Sequence, residues 1–165
     1  MLFDEKLINY LSENLDQESD LLKKIYQDTI KNIPKSNMIS GHLQGRFLSM
    51  ISKMINPKNI LEIGTFTGYS AICLAEGLSE DGELHTIEKD PFLFQTSKNN
   101  LKDFKNIKIY LGDGLEIIDN FDIFFDLIFV DCNKKSYIKY YNKLINKLNK
   151  NRYMIFDNVL WKGEV

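Results

Sequence analysis

Three side chains with oxygen donors follow two apolar runs of the sequence. Asp131 comes directly after residues 125–130, and Asp157 and Asn158 come directly after residues 153–156. Two carboxylates and one amide oxygen are the donors that a hard, octahedral cation such as Mg²⁺ prefers in proteins. They would leave about three coordination positions for water and for substrate oxygens. The residue types therefore indicate a divalent-metal site.

Lys134 lies three residues after Asp131 and is close enough in sequence to reach the same site. A cation beside a lysine disfavours the ammonium form, so we expect the pKa of Lys134 to be lowered, which suits a proton acceptor. The alternative is a solvated lysine at the start of a helix, and Lys135 beside it shows how ordinary that would be.

A glycine turn, Gly64-x-x-x-Gly68, joins the apolar run 60–63 to the helical pattern 69–75. Strand, glycine turn and helix is the nucleotide-binding start of a doubly wound α/β fold, with the ligand outside the carboxyl end of the strand. An ordinary strand-to-helix turn is the alternative, because short glycine patterns are common. The sequence contains neither a Walker loop nor Gly-x-Gly-x-x-Gly, which disfavours ATP-binding P-loop and dinucleotide-binding enzymes.

Acidic residues also follow the second and third predicted strands. Glu88 follows residues 84–87 and can accept both ribose hydroxyls of an adenosine, which distinguishes a nucleoside-bearing cofactor from a bare phosphate. Asp113 follows residues 107–111. Either residue could instead cap a helix. In a parallel sheet all these strand ends share one edge, and we therefore expect one crevice that gathers the polar groups.

Strands and helices must alternate to bring these residues together. The hydrophobic pattern predicts strands at 60–63, 84–87, 107–111, 125–130 and 153–156, and helices at 69–75, 91–101, 114–118 and 137–148. Before them it predicts helices at 4–14, 19–32 and 43–55, with residues 38–42 as a loop. On the third helix we expect Phe47, Leu48, Ile51, Met54 and Ile55 to share one apolar face.

The predicted fold class is α/β, a Rossmann-like, doubly wound and mostly parallel sheet with N-terminal helices. We expect a single domain over 1–165, in which residues 1–56 form a helical cap and residues 57–165 form the Rossmann-like core. The cap is expected to cover the cofactor and part of the acceptor site, because its helices have apolar faces that need burial.

Composition excludes several classes of protein. The chain has 165 residues, of which 44% are hydrophobic and 27% charged, as is typical of a soluble globular protein. Its net charge of -2 does not favour binding to nucleic acid or to an anionic membrane. No apolar run approaches the roughly 18 residues of a membrane span, and the N-terminus does not resemble a signal peptide. Cys73 and Cys132 lack metal-ligand spacing, so we expect a cytoplasmic protein.

Taken together, these stretches resemble a known family. The matching parts are residues 61–70 (LEIGTFTGYS), Glu88, Gly112-Asp113, residues 125–131 (FDLIFVD) with Lys134 and Tyr137, and residues 157–163 (DNVLWKG). They resemble the metal-dependent class I S-adenosylmethionine O-methyltransferases, which include catechol and caffeoyl-coenzyme A O-methyltransferases and small bacterial members. The resemblance covers the chain from about Met38 to its last residue.

The resemblance implies cofactors, partners and roles. The cofactors would be S-adenosyl-L-methionine and Mg²⁺ or a similar divalent cation, and the acceptor a small ortho-dihydroxy aromatic molecule bound by a homodimeric enzyme. Cofactor-binding residues would be Glu62, Gly64, Tyr69 and Ser70 near the methionine part, Glu88 at the ribose, Asp113 and Gly114 near the adenine, and Asp131. The metal ligands would be Asp131, Asp157 and Asn158, and Lys134 would take the proton of the acceptor hydroxyl.

The sequence departs from the family pattern at three places. Cys132-Asn133 stands where relatives commonly have Ala-Asp, and Gly114 stands where alanine is usual. Relatives also continue beyond Val165 with a helix and an antiparallel strand pair, so the C-terminal strand pair of the family is missing here. We therefore expect either part of a longer protein or a decayed form with an exposed edge at the fifth strand.

Two alternative functions remain open at this point. One is methylation of a 5-hydroxyuridine in tRNA, for which lysines could form a basic face, either Lys98, Lys102, Lys105 and Lys108 or Lys143, Lys147 and Lys150. The acidic net charge argues against it. The other is an inactive cofactor-binding module.

Overall fold

The computed structural model describes residues 4–160, in which strands and helices alternate after an N-terminal helical segment. The strands are β1 (Asn59–Ile63), β2 (Glu83–Glu88), β3 (Ile107–Leu111), β4 (Phe125–Val130) and β5 (Leu148–Phe156). The α-helices are α1 (Glu5–Asn14), α2 (Asp20–Asn32), α3 (Gly41–Ile55), α4 (Tyr69–Ala75), α5 (Pro91–Asn100), α6 (Gly114–Ile117) and α7 (Tyr137–Leu144). Short 3-10 segments lie at Ser36–Met38, Ile118–Asn120, Lys134–Ser136 and Ile145–Lys147.

All neighbouring strands pair in parallel, in the order β3-β2-β1-β4-β5. From β1 the chain first builds outward to β2 and β3, then returns across the sheet to β4 on the other side of β1. The direction of winding therefore reverses between β1 and β4. In open α/β sheets a ligand crevice forms outside the carboxyl ends of the strands at such a reversal.

Helices cover both faces of the sheet. On one face, Leu22 and Ile25 of α2 and Leu48 of α3 pack with the buried residues of α4. On the other face, Tyr140 and Leu144 of α7 pack with a second buried cluster. Every residue of β4 is buried, as its continuous apolar run predicts for a central strand. The predicted α/β, Rossmann-like fold is confirmed.

Helix α3 differs from the prediction in its start and in its buried face. It begins at Gly41, so residues 41 and 42 are helical rather than part of a loop. Phe47 and Met54 are 52% and 78% exposed, so the predicted apolar face is wrong at these two positions. The helix instead turns small polar residues toward α4.

Hydrogen bonds explain why α3 buries its polar side. Ser52 donates to the Leu74 carbonyl oxygen (2.6 Å), and Ser49 donates to the Glu76 carboxylate (2.7 Å). Arg46 binds both oxygens of Glu76, at 2.9 and 2.7 Å. Small side chains let the two helices approach closely, and the longer apolar ones are left on the outer side.

Strand β5 begins at Leu148, earlier than predicted, and α7 ends at Leu144 rather than at residue 148. The reason is the buried carboxylate of Asp126 in β4. Asn149 donates to its Oδ1 (2.9 Å), and Arg152 lies 3.1 Å from the same oxygen. These contacts hold a polar run in strand conformation, which its composition does not indicate.

The described residues 4–160 include only part of the C-terminal motif at 157–163. Residues 161–163 of the family-like C-terminal motif lie outside the described residues. Among the helices of residues 4–160, none is both long and apolar enough to cross a membrane.

Candidate functional site

The carboxyl ends of the strands open into a cleft of about 860 Å³. All the predicted site residues except Glu62 line it, namely Gly64, Tyr69, Ser70, Glu88, Asp113, Gly114, Asp131, Lys134, Asp157 and Asn158. Glu62 lies directly beneath the cleft and is fully buried. The structure therefore brings together the residues that the strand-end pattern predicted would converge.

Strands β1, β3, β4 and β5 are each followed by one further backbone hydrogen bond, and these bonds anchor the edge of the cleft. The residues after the strands donate to the neighbouring strand: Gly64 to Ile87, Gly112 to Glu88, Asp131 to Ile63 and Asp157 to Val130, with lengths of 2.9–3.0 Å. The backbone of the cleft edge is thus as firmly held as the sheet itself. Side chains that project from it start from fixed positions.

Gly64 sits where β1 and β4 approach most closely. Its φ is +105°, and a Cβ atom there would lie 2.1 Å from the carbonyl oxygen of Asp131. Glycine is required both by the backbone conformation and by the space. The first residue of the glycine turn and the first predicted metal ligand are therefore in direct contact.

A buried chain of hydroxyl groups holds Glu62 under the turn. Ser70 donates to one carboxylate oxygen and Thr86 to the other, both at 2.6 Å. Thr65, inside the glycine turn, lies 2.5 Å from the Thr86 hydroxyl. Burial raises the pKa of Glu62 to about 8, against the effect of the two donors. Sequence analysis missed Thr65 and Thr86, because nothing local marks them as polar partners.

Glu88 ends β2 with its carboxylate at the cleft. Its oxygens accept from the backbone N–H groups of Phe66 (2.8 Å) and Asp90 (2.9 Å). Burial raises the pKa of Glu88, although these donors oppose the rise. An ionised carboxylate offers about four lone-pair sites, so Glu88 keeps acceptor capacity beyond its backbone partners, and the residue lines the cleft.

Asp113 caps the short helix α6, accepting from Leu115 N–H at 2.9 Å, and also pairs with Lys89 at 2.7 Å. The hydrogen bond from Lys89 lowers the pKa of Asp113. Both the capping and the ligand-facing interpretations therefore apply to one side chain. A Cβ atom at Gly114 would lie 2.8 Å from the Tyr140 hydroxyl, so glycine leaves the space that this side chain occupies.

Tyr69 begins α4 and borders the cleft, but its side chain is only 2% exposed. Its hydroxyl donates to Glu18, from the loop between α1 and α2. The ring therefore packs against the N-terminal helices, and its contact with the cleft is limited.

Thr67 connects the glycine turn to two other elements. Its hydroxyl accepts from Thr29 (3.0 Å), and its carbonyl oxygen accepts from the Asn100 side chain (2.9 Å).

The predicted metal ligands lie at the ends of the adjacent strands β4 and β5. Asp131 and Asp157 are close enough to influence each other: burial, together with the Asp157 carboxylate, raises the pKa of Asp131, and Lys134 opposes this rise. Asn158 follows in a left-handed conformation with φ of +51°. Two carboxylates that repel each other beside an amide oxygen form a donor set that fits a divalent cation.

Lys134 reaches this set directly, with Nζ 2.6 Å from Asp131 Oδ1. Burial disfavours its ammonium, but hydrogen bonds to Asp131 and Tyr137 outweigh burial and raise the pKa of Lys134. This is opposite to the expected direction. The expectation assumed a cation beside the lysine, whereas the Asp131 carboxylate faces the ammonium here.

The N-terminal cap, which we expect to cover the cofactor and part of the acceptor site, contributes several residues to the cleft. They are Asn37, Met38, Ile39, Ser40 and Gln44. No motif marks them, since their position depends on how α3 packs against α4.

Comparison with known proteins agrees with this geometry. A model of the O-methyltransferase family matches residues 12–165. The chain belongs to the O-methyltransferase family. An Arabidopsis thaliana protein provisionally named a caffeoyl-CoA O-methyltransferase is 34% identical over 100% of this chain and 75% of its own length. This confirms the family predicted from the motifs, and the methyltransferase is of the caffeoyl-CoA O-methyltransferase type.

Solved structures extend the likeness to the fold of this O-methyltransferase. The S-adenosylhomocysteine-bound methyltransferase of Podospora anserina superimposes with a TM-score of 0.91 at 29% identity, over 99% of this chain and 74% of that chain. The O-methyltransferase TomG of Streptomyces achromogenes, solved with S-adenosylmethionine, gives 0.88 at 28% identity over 96% and 74%. The described fold is thus that of complete methyltransferases over three quarters of their length.

The buried carboxyl of Glu62 generates a prediction about pH. The folded chain keeps a proton on Glu62 up to about pH 8, whereas the ordinary value is 4.5, so the folded state binds more protons within this window. Stability contributed by the neutral carboxyl is therefore present at low pH and lost as pH rises to about 8. We expect the free energy of unfolding of wild type, relative to Glu62→Gln, to fall across this window in urea titrations.

Glu13→Gln changes an exposed glutamate and serves as the matched control, with a profile parallel to that of wild type. Asp131 and Glu88 interact electrostatically with Glu62, so Glu62→Gln also alters their titration, and the difference between the two profiles reports the coupled group. Parallel profiles for wild type and Glu62→Gln would show that Glu62 is not a buried titrating group.

Proposed function

We propose that this O-methyltransferase transfers the methyl group of S-adenosyl-L-methionine to a hydroxyl of a small ortho-dihydroxy aromatic acceptor, with a divalent cation at Asp131, Asp157 and Asn158. The observation that carries the proposal is the direct contact between the glycine turn at Gly64 and Asp131. The turn proposed to bind the cofactor lies against the backbone of Asp131, one of the two proposed carboxylate ligands, so a methyl donor and a metal-held acceptor would meet at one point.

S-adenosylmethionine is supported by the neighbours solved with it or with its product, and by the charges of the cleft. Its sulfonium and ammonium groups are positive, and the carboxyl groups of Glu88 and Asp131 line the cleft at the glycine turn. Glu88 would accept the ribose hydroxyls through its open lone pairs. Asp113 and Gly114 would border the adenine, and Gly64, Tyr69 and Ser70 the methionine part.

The proposed cation is Mg²⁺ or another hard divalent ion. Within residues 4–160 no group of three or more His, Cys, Asp or Glu side chains is arranged to hold a metal, which disfavours a zinc-type site. Asp131, Asp157 and Asn158 supply two carboxylates and one amide oxygen, a set that a hard ion prefers. When bound, such an ion would hold adjacent acceptor oxygens and stabilise the oxyanion.

Lys134 Nζ is the proposed proton acceptor for the hydroxyl to be methylated. It lies in the cleft beside Asp131 and is held by the ring of Tyr137, 5.4 Å from its centroid. Its raised pKa means that this role requires Asp131 to release its hydrogen bond to Nζ. Engagement of the Asp131 carboxylate by a cation would have that effect, because the opposite charge facing the ammonium is then shared.

Ion pairs of the surface lysines favour a small acceptor over tRNA. Lys143 pairs with Asp119 (2.7 Å) and Lys108 with Glu83 (3.5 Å), so acidic partners neutralise part of each predicted basic face. A panel of catechols and of hydroxylated tRNA, assayed with and without Mg²⁺, tests the acceptor class. Methylation of tRNA alone would replace the proposal with the tRNA function, and no methylation at all would favour an inactive module.

A homodimer and a cytoplasmic location complete the proposal. Phe47, Met50 and Met54 lie at helical spacing on the outer side of α3 and are each at least 50% exposed, a surface that a second copy of the chain would cover. Sedimentation at micromolar concentration tests this, and a monomer would reject it.

Both cysteines of the described residues are free thiols, which suits a reducing compartment.

Asp157→Ala tests the metal. Removing one of two charged ligands should abolish Mn²⁺ binding and reduce methyl transfer to background, while S-adenosylhomocysteine still binds, because the adenosine side of the cleft lies at other strand ends. Asp122→Ala removes an exposed aspartate before β4, at the opposite edge of the sheet, and should behave as wild type. Undiminished transfer by Asp157→Ala, or full activity after exhaustive chelation, would contradict metal dependence.

Lys134→Ala tests the proton acceptor, and Lys135→Ala, its exposed neighbour, is the matched control. Loss of general-base catalysis should lower the turnover of a catechol by about 10²–10⁴-fold. Activity should recover partly as pH rises and the acceptor hydroxyl ionises by itself. Mn²⁺ binding should persist. Equal rates for both variants would assign Lys134 no part in proton transfer.

A further inference from the structure

The hydroxyl of Tyr137 fastens the ends of β4 and β5 together at the edge of the cleft. It donates to the carbonyl oxygen of Asp157 at 2.8 Å and lies 3.2 Å from that of Val130. Val130 is the last residue of β4 and directly precedes Asp131. One hydroxyl therefore contacts the backbone of one proposed metal ligand, Asp157, and the backbone of the residue just before the other, Asp131.

The ring of the same side chain makes two further contacts with this region. It packs on Phe156, the last residue of β5, with centroids 5.0 Å apart. Its face also lies 5.4 Å from the ammonium of Lys134. Tyr137 is thus linked to the surroundings of both carboxylates and of the lysine.

The end of β5 depends on this contact because its pairing stops there. The last β4–β5 pair is Val130 with Phe156, and β5 is the edge strand of the sheet that the structure describes. After it, the Asp157 N–H donates to the Val130 carbonyl oxygen (3.0 Å), and the Asp157 carbonyl oxygen accepts from the Tyr137 hydroxyl. Loss of the hydroxyl would leave Asp157 and Asn158 attached by a single backbone hydrogen bond to β4.

We propose that Tyr137 is a positioning residue that sets the separation of the Asp131 and Asp157 side chains, and hence the affinity for the divalent cation. The inference rests on the proposed metal-dependent function and assigns Tyr137 no contact with substrate. Residues that orient metal ligands from outside typically change metal affinity by about 10–100-fold when they are altered.

Tyr137→Phe removes the hydroxyl, and with it the bonds to the two backbone carbonyl oxygens and the hydrogen bond with Lys134, but keeps the ring contact with Phe156. Mn²⁺ affinity, measured by electron paramagnetic resonance of the free ion, should fall at least about tenfold. S-adenosylhomocysteine affinity, measured by calorimetry, should stay unchanged, which shows that the fold and the adenosine side are intact. Tyr141→Phe, on an exposed position of the same helix, is the matched control and should bind Mn²⁺ as wild type does.

The outcomes separate this inference from the proposed function. If wild type binds no Mn²⁺, the metal-dependent function itself fails. If wild type binds Mn²⁺ and Tyr137→Phe binds it equally well, the positioning role is wrong while the function stands. Should Tyr137→Phe fail to fold, Tyr137→Leu provides the second test, and Mn²⁺ affinity equal to that of wild type in the folded variant would again overturn the role.

Discussion

The contact between Gly64 and the Asp131 carbonyl oxygen is the constraint on which the site depends. A side chain at position 64 would place a Cβ atom 2.1 Å from that oxygen, so β1 and β4 could not run side by side to their ends. With glycine there, the Asp131 N–H reaches the Ile63 carbonyl oxygen at 2.9 Å and closes the last rung of the sheet. The glycine turn after β1 and Asp131 after β4 consequently lie side by side on one wall of the cleft.

Three carboxyl groups lie along this wall, and each of them accepts hydrogen bonds from neighbouring groups. Glu62 is held by Ser70 and Thr86, Glu88 by backbone N–H groups, and Asp131 by Lys134. Burial nevertheless raises the pKa of each of these three carboxyls, because the folded chain disfavours several negative charges in one place. Positive ligands would reduce this penalty, and a sulfonium cofactor with a divalent cation supplies positive charge where the acids lie.

Much of the fold and of the site could be predicted because the information is local. The apolar run of β4 and the acidic residues after each strand are visible in the sequence, and parallel pairing then brings the strand ends to one edge. Helix α4 lies at 69–75, where its pattern predicted it. The convergence of Glu88, Asp113 and Asp131 on one cleft follows from topology alone.

What could not be predicted depends on contacts between distant parts of the chain. The polar start of β5 follows from the buried carboxylate of Asp126, and the exposure of Phe47 follows from the close packing of α3 on α4. Thr86 and Tyr137 act through hydrogen bonds to residues of other elements. The pKa of Lys134 depends on which charge faces its ammonium, and sequence spacing does not specify that charge.

In the proposed function the methyl donor and the cation occupy adjacent parts of one cleft. The direct measurement is nuclear magnetic resonance of S-adenosylmethionine carrying an isotope-labelled S-methyl group, bound to the protein and titrated with Mn²⁺. Paramagnetic broadening should be strongest at the S-methyl resonance and weak at the adenine protons, and Asp157→Ala should abolish it. An S-methyl resonance that stays sharp while Mn²⁺ is bound would contradict the account.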